Sequence, residues 1–98
     1  MKQQSKEESR RRWKELRDIV NRWDPIGVFN MDSEWPKDEY ECITGPLMRM
    51  LEARIGVEEI TRYLEKEVRE HFEIEPVPGA ATRCATESVN WFQGKWAI

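Results

Sequence analysis

Hydrophobic residues recur every three or four positions in four separate stretches of this chain, which is the spacing of a helix with one buried face. We therefore predict helices over about residues 5–23, 37–55, 57–72 and 80–93. Charged residues fill the opposite faces of these stretches. The pattern predicts the all-α class, as a compact bundle of three to four helices that folds as a single domain over residues 1–98.

The residues between the first two helices predict a long structured loop. Asp24 ends the first helix, because a residue that precedes proline is pushed out of the helical region of backbone conformation. The apolar segment 26–29 is expected to run extended over the core, with a turn at Gly27. Trp35 is expected to cover one end of the bundle, and Pro36 favours the start of the second helix.

The second helix contains an internal Gly45-Pro46 pair. Proline removes one helical hydrogen bond and collides with the preceding turn, so we expect a kink or a break at these residues. Thr44 is placed to cap the segment that would follow such a break. Gly56 is expected to end this helix, and residues 75–79, with two prolines and a glycine, separate the third and fourth helices.

Charge is divided unevenly along the chain. The first 23 residues hold eight basic and four acidic side chains, whereas the remainder holds eight basic and fifteen acidic ones, for a net charge of −3. A basic helix packed against an acidic body explains this division, so we do not expect nucleic acid as a partner, although Arg10, Lys14 and Arg17 form a stripe of the kind that binds phosphates. The chain shows no run of about 18 apolar residues and no secretory signal, so we expect a cytoplasmic protein without membrane association.

The two cysteines and the single histidine form no recognisable ligand or catalytic motif. Cys42 and Cys84 are far apart and neither belongs to a CxxC pair, so we expect two buried thiols, with a disulfide as the less favoured alternative. His71 has no metal ligand at a characteristic spacing, and a catalytic pair would need one of the cysteines beside it. We predict no catalytic residue, no metal site and no cofactor.

Acidic and aromatic residues cluster around the start of the second helix. The helix dipole is positive at this end and favours carboxylates, so a structural role alone explains Asp38, Glu39 and Glu41. The acidic body and the surplus of tryptophan instead favour an exposed patch that binds a protein. The candidate partner-binding residues are Trp35, Asp38, Glu39, Tyr40, Glu41 and Asp24.

Two functions remain open at this point. The first is a non-enzymatic protein-binding module, such as an adaptor, a regulatory subunit or an immunity-type inhibitor, whose partner the sequence does not identify. The alternative is a small-molecule or metal site built from the loop carboxylates Asp24, Asp38 and Glu41. At the C-terminal end, Trp91 and Trp96 either cover the bundle or let two copies of the chain associate.

Short motifs between residues 13 and 73 form a set that resembles a known family. The most specific motifs are Trp23-Asp24-Pro25-Ile26-Gly27 and Asp38-Glu39-Tyr40-Glu41. They are followed by Gly45-Pro46, by the spaced residues Gly56, Glu59, Tyr63 and Leu64, and by Glu70-His71-Phe72. This set resembles the YugE-like proteins, a small bacterial helical family of unknown function. The resemblance implies a compact helical fold and no established activity.

Overall fold

The computed structural model describes residues 6–32 and 34–96, apart from the side chains of Phe29 and Asn30. Within these residues it contains five α-helices: α1 (Lys6–Trp23), α2 (Val28–Met31), α3 (Glu41–Glu52), α4 (Val57–Glu70) and α5 (Ala80–Lys95). No β-strand occurs in this part of the chain, so the predicted all-α class is confirmed. None of these helices combines the length and the apolar character that a bilayer crossing requires.

The apolar faces of the four longer helices meet in one hydrophobic core. α4 and α5 pack along each other, and α1 lies against both α3 and α5. Burial of these apolar faces is the main force that holds the bundle together. Its most buried members are Leu16, Val20, Ile43, Leu47, Ile60, Leu64 and Ala85.

Three of the predicted helices agree with the structure to within two residues, and one does not. The predicted start at residue 5 lies outside the described residues, and α1, α4 and α5 otherwise end close to where they were expected. The helix predicted over 37–55 is shorter, because residues 37–40 form turns before α3 begins at Glu41. α3 ends at Glu52, shortly before Arg54 takes a positive φ of 60°.

The turn after α1 depends on two residues with left-handed backbone conformation. Asp24 has a φ of 48° and Gly27 a φ of 74°, so the predicted turn at Gly27 is confirmed. Aspartate and glycine are among the residues that tolerate this region best. The segment expected to be extended instead forms the single-turn helix α2, in which the Asp32 amide donates to the Val28 carbonyl at 2.9 Å.

The predicted break at Gly45-Pro46 does not occur, because α3 continues through both residues. Proline at position 46 removes the hydrogen bond that an amide at this position would donate to the Cys42 carbonyl. Thr44 caps no second segment: it is buried within α3 and donates its hydroxyl to the Tyr40 carbonyl at 3.2 Å. Gly45 lies beside the Trp13 ring of α1, so packing across the helix pair supports the helix here.

Candidate functional site

The loop between α1 and α3 is held to the bundle by the hydroxyl group of Tyr40. This hydroxyl donates to Oδ1 of Asp24 at 2.6 Å and accepts a hydrogen bond from the Ile26 amide at 3.1 Å. The Tyr40 ring is 1% exposed and packs edge-on against Phe72, with ring centroids 5.7 Å apart. The two most specific sequence motifs therefore meet in one clasp, formed by Asp24, Ile26 and Tyr40.

The burial of Tyr40 corrects the predicted exposed patch. A side chain that is 1% exposed cannot contact a partner in this conformation, so Tyr40 supports the surface from below. Burial raises the pKa of the Tyr40 hydroxyl well above its ordinary value, and the hydrogen bond to Asp24 raises it further, so the phenol stays neutral. Asp24 is only partly exposed and accepts that hydrogen bond, which gives it a structural role in the clasp.

The other predicted residues lie in a segment that we call the acidic loop, residues 31–41. It contains five acidic side chains and one basic side chain, Lys37. Asp38 and Glu41 are exposed and Glu39 is partly exposed. Trp35 packs partly buried against the core, as expected of a residue that covers the end of the bundle. Sequence reasoning did not single out Met31, which is 74% exposed at the start of this loop.

Local hydrogen bonds give the acidic loop a defined shape. Oδ1 of Asp32 accepts the Glu34 amide at 2.9 Å, and the Asp32 carbonyl accepts the Trp35 amide at 3.0 Å. The Asn21 side chain of α1 donates to the Lys37 carbonyl at 3.1 Å. The loop is therefore fastened to α1 near its middle and to the core at Tyr40.

The loop carboxylates do not converge on a common point. Asp24 accepts the hydrogen bond from Tyr40 within the clasp, whereas Asp38 and Glu41 are exposed near the start of α3. Among residues 6–32 and 34–96, no three His, Cys, Asp or Glu side chains are grouped so as to hold a metal ion. This arrangement gives the alternative of a metal site at these carboxylates no support.

The two cysteines lie in different surroundings, which corrects the prediction of two buried thiols. Both are free; Cys84 is buried in α5, and burial raises the pKa of its thiol to about 12. Cys42 is exposed, and its Sγ lies 3.7 Å from Nε2 of His71. Partial desolvation raises the pKa of the Cys42 thiol, and the charge of Glu67 raises it further. The pair is an accessible but neutral thiol beside an imidazole, which does not favour nucleophilic catalysis.

The C-terminal tryptophans are tied to α1 through one carboxylate. Oε1 of Glu15 accepts hydrogen bonds from the indole nitrogens of Trp91 at 2.9 Å and Trp96 at 3.2 Å. Oε2 of Glu15 accepts one from Lys95 at 2.6 Å. Both rings are partly buried against the core, so this end of the chain covers its own bundle. Association of two copies through these rings stays a prediction.

Four surface depressions of the described residues border α5, and none of them contains an acidic-loop residue. One of them, with a volume of about 670 Å³, lies along α5 itself. Its two charged side chains, Arg83 and Glu87, are exposed, and so are its other polar residues, Thr82, Thr86 and Asn90. Glu87 is already paired with Arg22 of α1. A shallow depression of this kind lacks the converging buried polar groups of a small-molecule site.

The geometry therefore shows a helical bundle with a shaped acidic loop that is fastened to α1 and to the core. Comparison of the chain with protein families, with curated proteins and with solved structures gives no significant match, so the resemblance to YugE-like proteins stays a prediction.

Proposed function

We propose that this protein is a non-enzymatic protein-binding module of the adaptor, regulatory or immunity type, and that its acidic loop binds a basic surface of another protein. The observation that carries the proposal is the exposure of Met31 in a loop with five carboxylates and one lysine. An apolar anchor ringed by charge is the common composition of a protein interface. Trp35, partly exposed in the same loop, adds a second apolar contact.

The shape of the loop also supports this proposal. Binding by a flexible segment costs conformational entropy, and a segment held in place beforehand avoids much of that cost. The Tyr40 clasp and the Asn21 bond to the Lys37 carbonyl fix the loop before any partner arrives. Asp38 and Glu41 then steer a basic partner towards Met31 and Trp35.

A cytoplasmic location is part of the same proposal. Cys42 is an exposed thiol, and both cysteines of the chain are unpaired. Free thiols of this kind persist in a reducing compartment.

The first experiment identifies the partner by photo-crosslinking in the cells that produce the protein. A photoreactive residue replaces Met31 in the full-length chain, and the matched control places the same residue at Val77. Val77 is also strongly exposed, at 62%, but lies in the linker between α4 and α5. We expect one basic protein to be captured from position 31 and not from position 77. Equal capture from both positions would contradict the proposal.

The second experiment measures the affinity for the captured protein by isothermal titration calorimetry. The double variant Asp38→Asn/Glu41→Gln should weaken binding by about tenfold, because it removes two steering charges, and high salt should reduce the difference. The control Glu58→Gln/Glu59→Gln changes two exposed carboxylates in the first turn of α4 and should leave affinity within about twofold. Equal losses in the two double variants would mean that overall charge, and not the acidic loop, governs binding.

A further inference from the structure

Cys42 and His71 come from different helices and lie at the distance of two ligands of one metal ion. Cys42 lies in the first turn of α3, and His71 directly follows the last residue of α4. Sγ and Nε2 are 3.7 Å apart. In a tetrahedral zinc site with Zn–S of about 2.3 Å and Zn–N of about 2.0 Å, the two ligand atoms are about 3.5 Å apart. The free thiol and imidazole therefore need to move only slightly to bind the same ion.

The neighbouring charges favour a cation at this pair. Glu67 lies four residues before His71 and so projects from the same side of α4. Glu39, in the acidic loop, lies three residues before Cys42. Carboxylates around a thiol and an imidazole attract a divalent cation.

The remaining contacts orient the imidazole without using its Nε2 atom. The His71 ring packs edge-on against Phe72, with centroids 4.8 Å apart. Phe72 in turn packs against the buried Tyr40 ring of the clasp. His71 itself is exposed, so an ion can reach Nε2 from solvent.

We propose that Cys42 and His71 bind one divalent transition-metal ion of the zinc class, with Glu67 as a third ligand after a rotation of its side chain. As placed, the described side chains form no group of three ligands, and the Glu67 carboxylate is hydrogen-bonded to the Tyr63 hydroxyl. Glu67 therefore leaves Tyr63 and rotates towards the pair to become the third ligand. Water fills the fourth position. On binding, the sulfur bonds the metal and the thiol proton leaves to solvent, while Nε2 of His71 donates its lone pair to the metal. None of these ligands belongs to the acidic loop, so the test below is separate from the tests of the proposed function.

The test titrates Co²⁺, as a spectroscopic substitute for Zn²⁺, into the full-length chain kept reduced by a non-chelating phosphine. The expected result is a thiolate-to-cobalt charge-transfer band that saturates at one ion per chain and is removed by Zn²⁺. Cys42→Ser should abolish the band. His71→Gln and Glu67→Gln should each weaken binding by at least about tenfold, as loss of a ligand does.

Matched controls separate this site from non-specific binding. Cys84→Ala removes the buried thiol and Glu65→Gln a carboxylate that also lies on α4, and neither should change the titration. Circular dichroism checks that each variant keeps its helices. Absence of the band in the wild-type chain would mean that Cys42 and His71 form only a hydrogen bond and would overturn the proposal. Saturation at half an ion per chain would also overturn it, since the ligands would then come from two copies.

Discussion

Two carboxylates of this protein anchor aromatic side chains, and they do so at different depths. Asp24 receives the hydroxyl of Tyr40, whose ring is 1% exposed within the core. Glu15 receives its donors at the rim of the bundle, where its own side chain is 25% exposed and that of Lys95 is 51% exposed. Those donors are Trp91, Lys95 and Trp96.

The difference in depth determines how much each of these two contacts contributes to the stability of the fold. At the Tyr40 clasp, the ring contributes buried apolar area, and its hydroxyl bonds to groups that are partly shielded from water. At Glu15, water can reach the carboxylate and the ammonium group, so the loss of one contact is largely compensated. Three donors on one partly exposed carboxylate therefore stabilise the fold less than one donor beneath the loop.

The largest expected effect is that of Tyr40→Ala. The substitution removes a fully buried aromatic ring and both hydrogen bonds of its hydroxyl. We expect it to lower the free energy of unfolding by about 3–5 kcal/mol, the range for a buried aromatic replaced by alanine. Urea unfolding followed by circular dichroism measures this loss. A loss below about 2 kcal/mol would show that the clasp is not part of the core.

Tyr40→Phe isolates the hydrogen bonds from the packing. The ring is kept, but Oδ1 of Asp24 loses this donor and the Ile26 amide loses its acceptor. We expect a loss of about 1–3 kcal/mol in the same unfolding experiment, since the partly buried Ile26 amide loses this acceptor and Asp24 loses one of its contacts. The comparison variant is Tyr63→Phe on α4, whose partly buried ring carries a hydroxyl hydrogen-bonded to Glu67. A loss in Tyr63→Phe as large as that in Tyr40→Phe would show that the bonds to Asp24 and Ile26 contribute no more than a single tyrosine–carboxylate bond.

The clasp also shows which features of the structure could be predicted from the sequence. The motifs around Asp24 and Tyr40 predicted a structured loop, and the structure confirms that the loop is fastened to the bundle. Tyr40 lies three residues before Ile43 and seven before Leu47, so helical spacing placed it on the buried face. The acidic residues beside it predicted an exposed side chain instead. The helical spacing gave the correct prediction, because the free energy gained by burying the ring outweighs the tendency of the adjacent charged residues to stay in solvent.

Contacts between residues distant in the chain could not be predicted in this way. The hydrogen bond from Trp91 to Glu15 spans 76 positions, and the Cys42–His71 pair spans 29. Each depends on how two helices pack, which periodicity within a single helix does not determine. Local rules also failed at Pro46, where α3 continues because packing across the helix pair overrides the local preference for a break.

Glu15→Gln tests the contacts that the partly exposed Glu15 carboxylate makes at the edge of the bundle. We expect it to lower the free energy of unfolding less than either Tyr40 variant. Glutamine keeps one acceptor oxygen but loses the charge that attracts Lys95, and both groups are partly exposed. We expect a loss of about 0.5–1 kcal/mol at neutral pH, measured by urea unfolding. The control Glu87→Gln changes another carboxylate that is paired with α1, through Arg22, but binds no indole. A larger loss of unfolding free energy for Glu87→Gln than for Glu15→Gln would mean that the contact with Arg22 stabilises the fold more than the contacts of Glu15 do.

The pH dependence of the stability of Glu15→Gln is the smallest of these expected effects and the one most specific to the charge of Glu15. Burial alone would raise the pKa of Glu15, but hydrogen bonds from Lys95, Trp91 and Trp96 outweigh it and hold the pKa below its ordinary value of 4.5. A carboxylate whose pKa is lowered by folding stabilises the fold fully above that ordinary value, and this contribution disappears as the pH falls through the lowered pKa.

The difference in unfolding free energy between wild type and Glu15→Gln should therefore be constant near neutral pH and should decrease below about pH 4.5. The decrease in this difference cannot exceed the loss measured at neutral pH, because protonation removes the charge of Glu15 but leaves its side chain in place. Urea unfolding at a series of pH values measures the change. A difference that grows on acidification would mean that folding raises the pKa of Glu15, and that the two indoles and Lys95 do not stabilise its charged form.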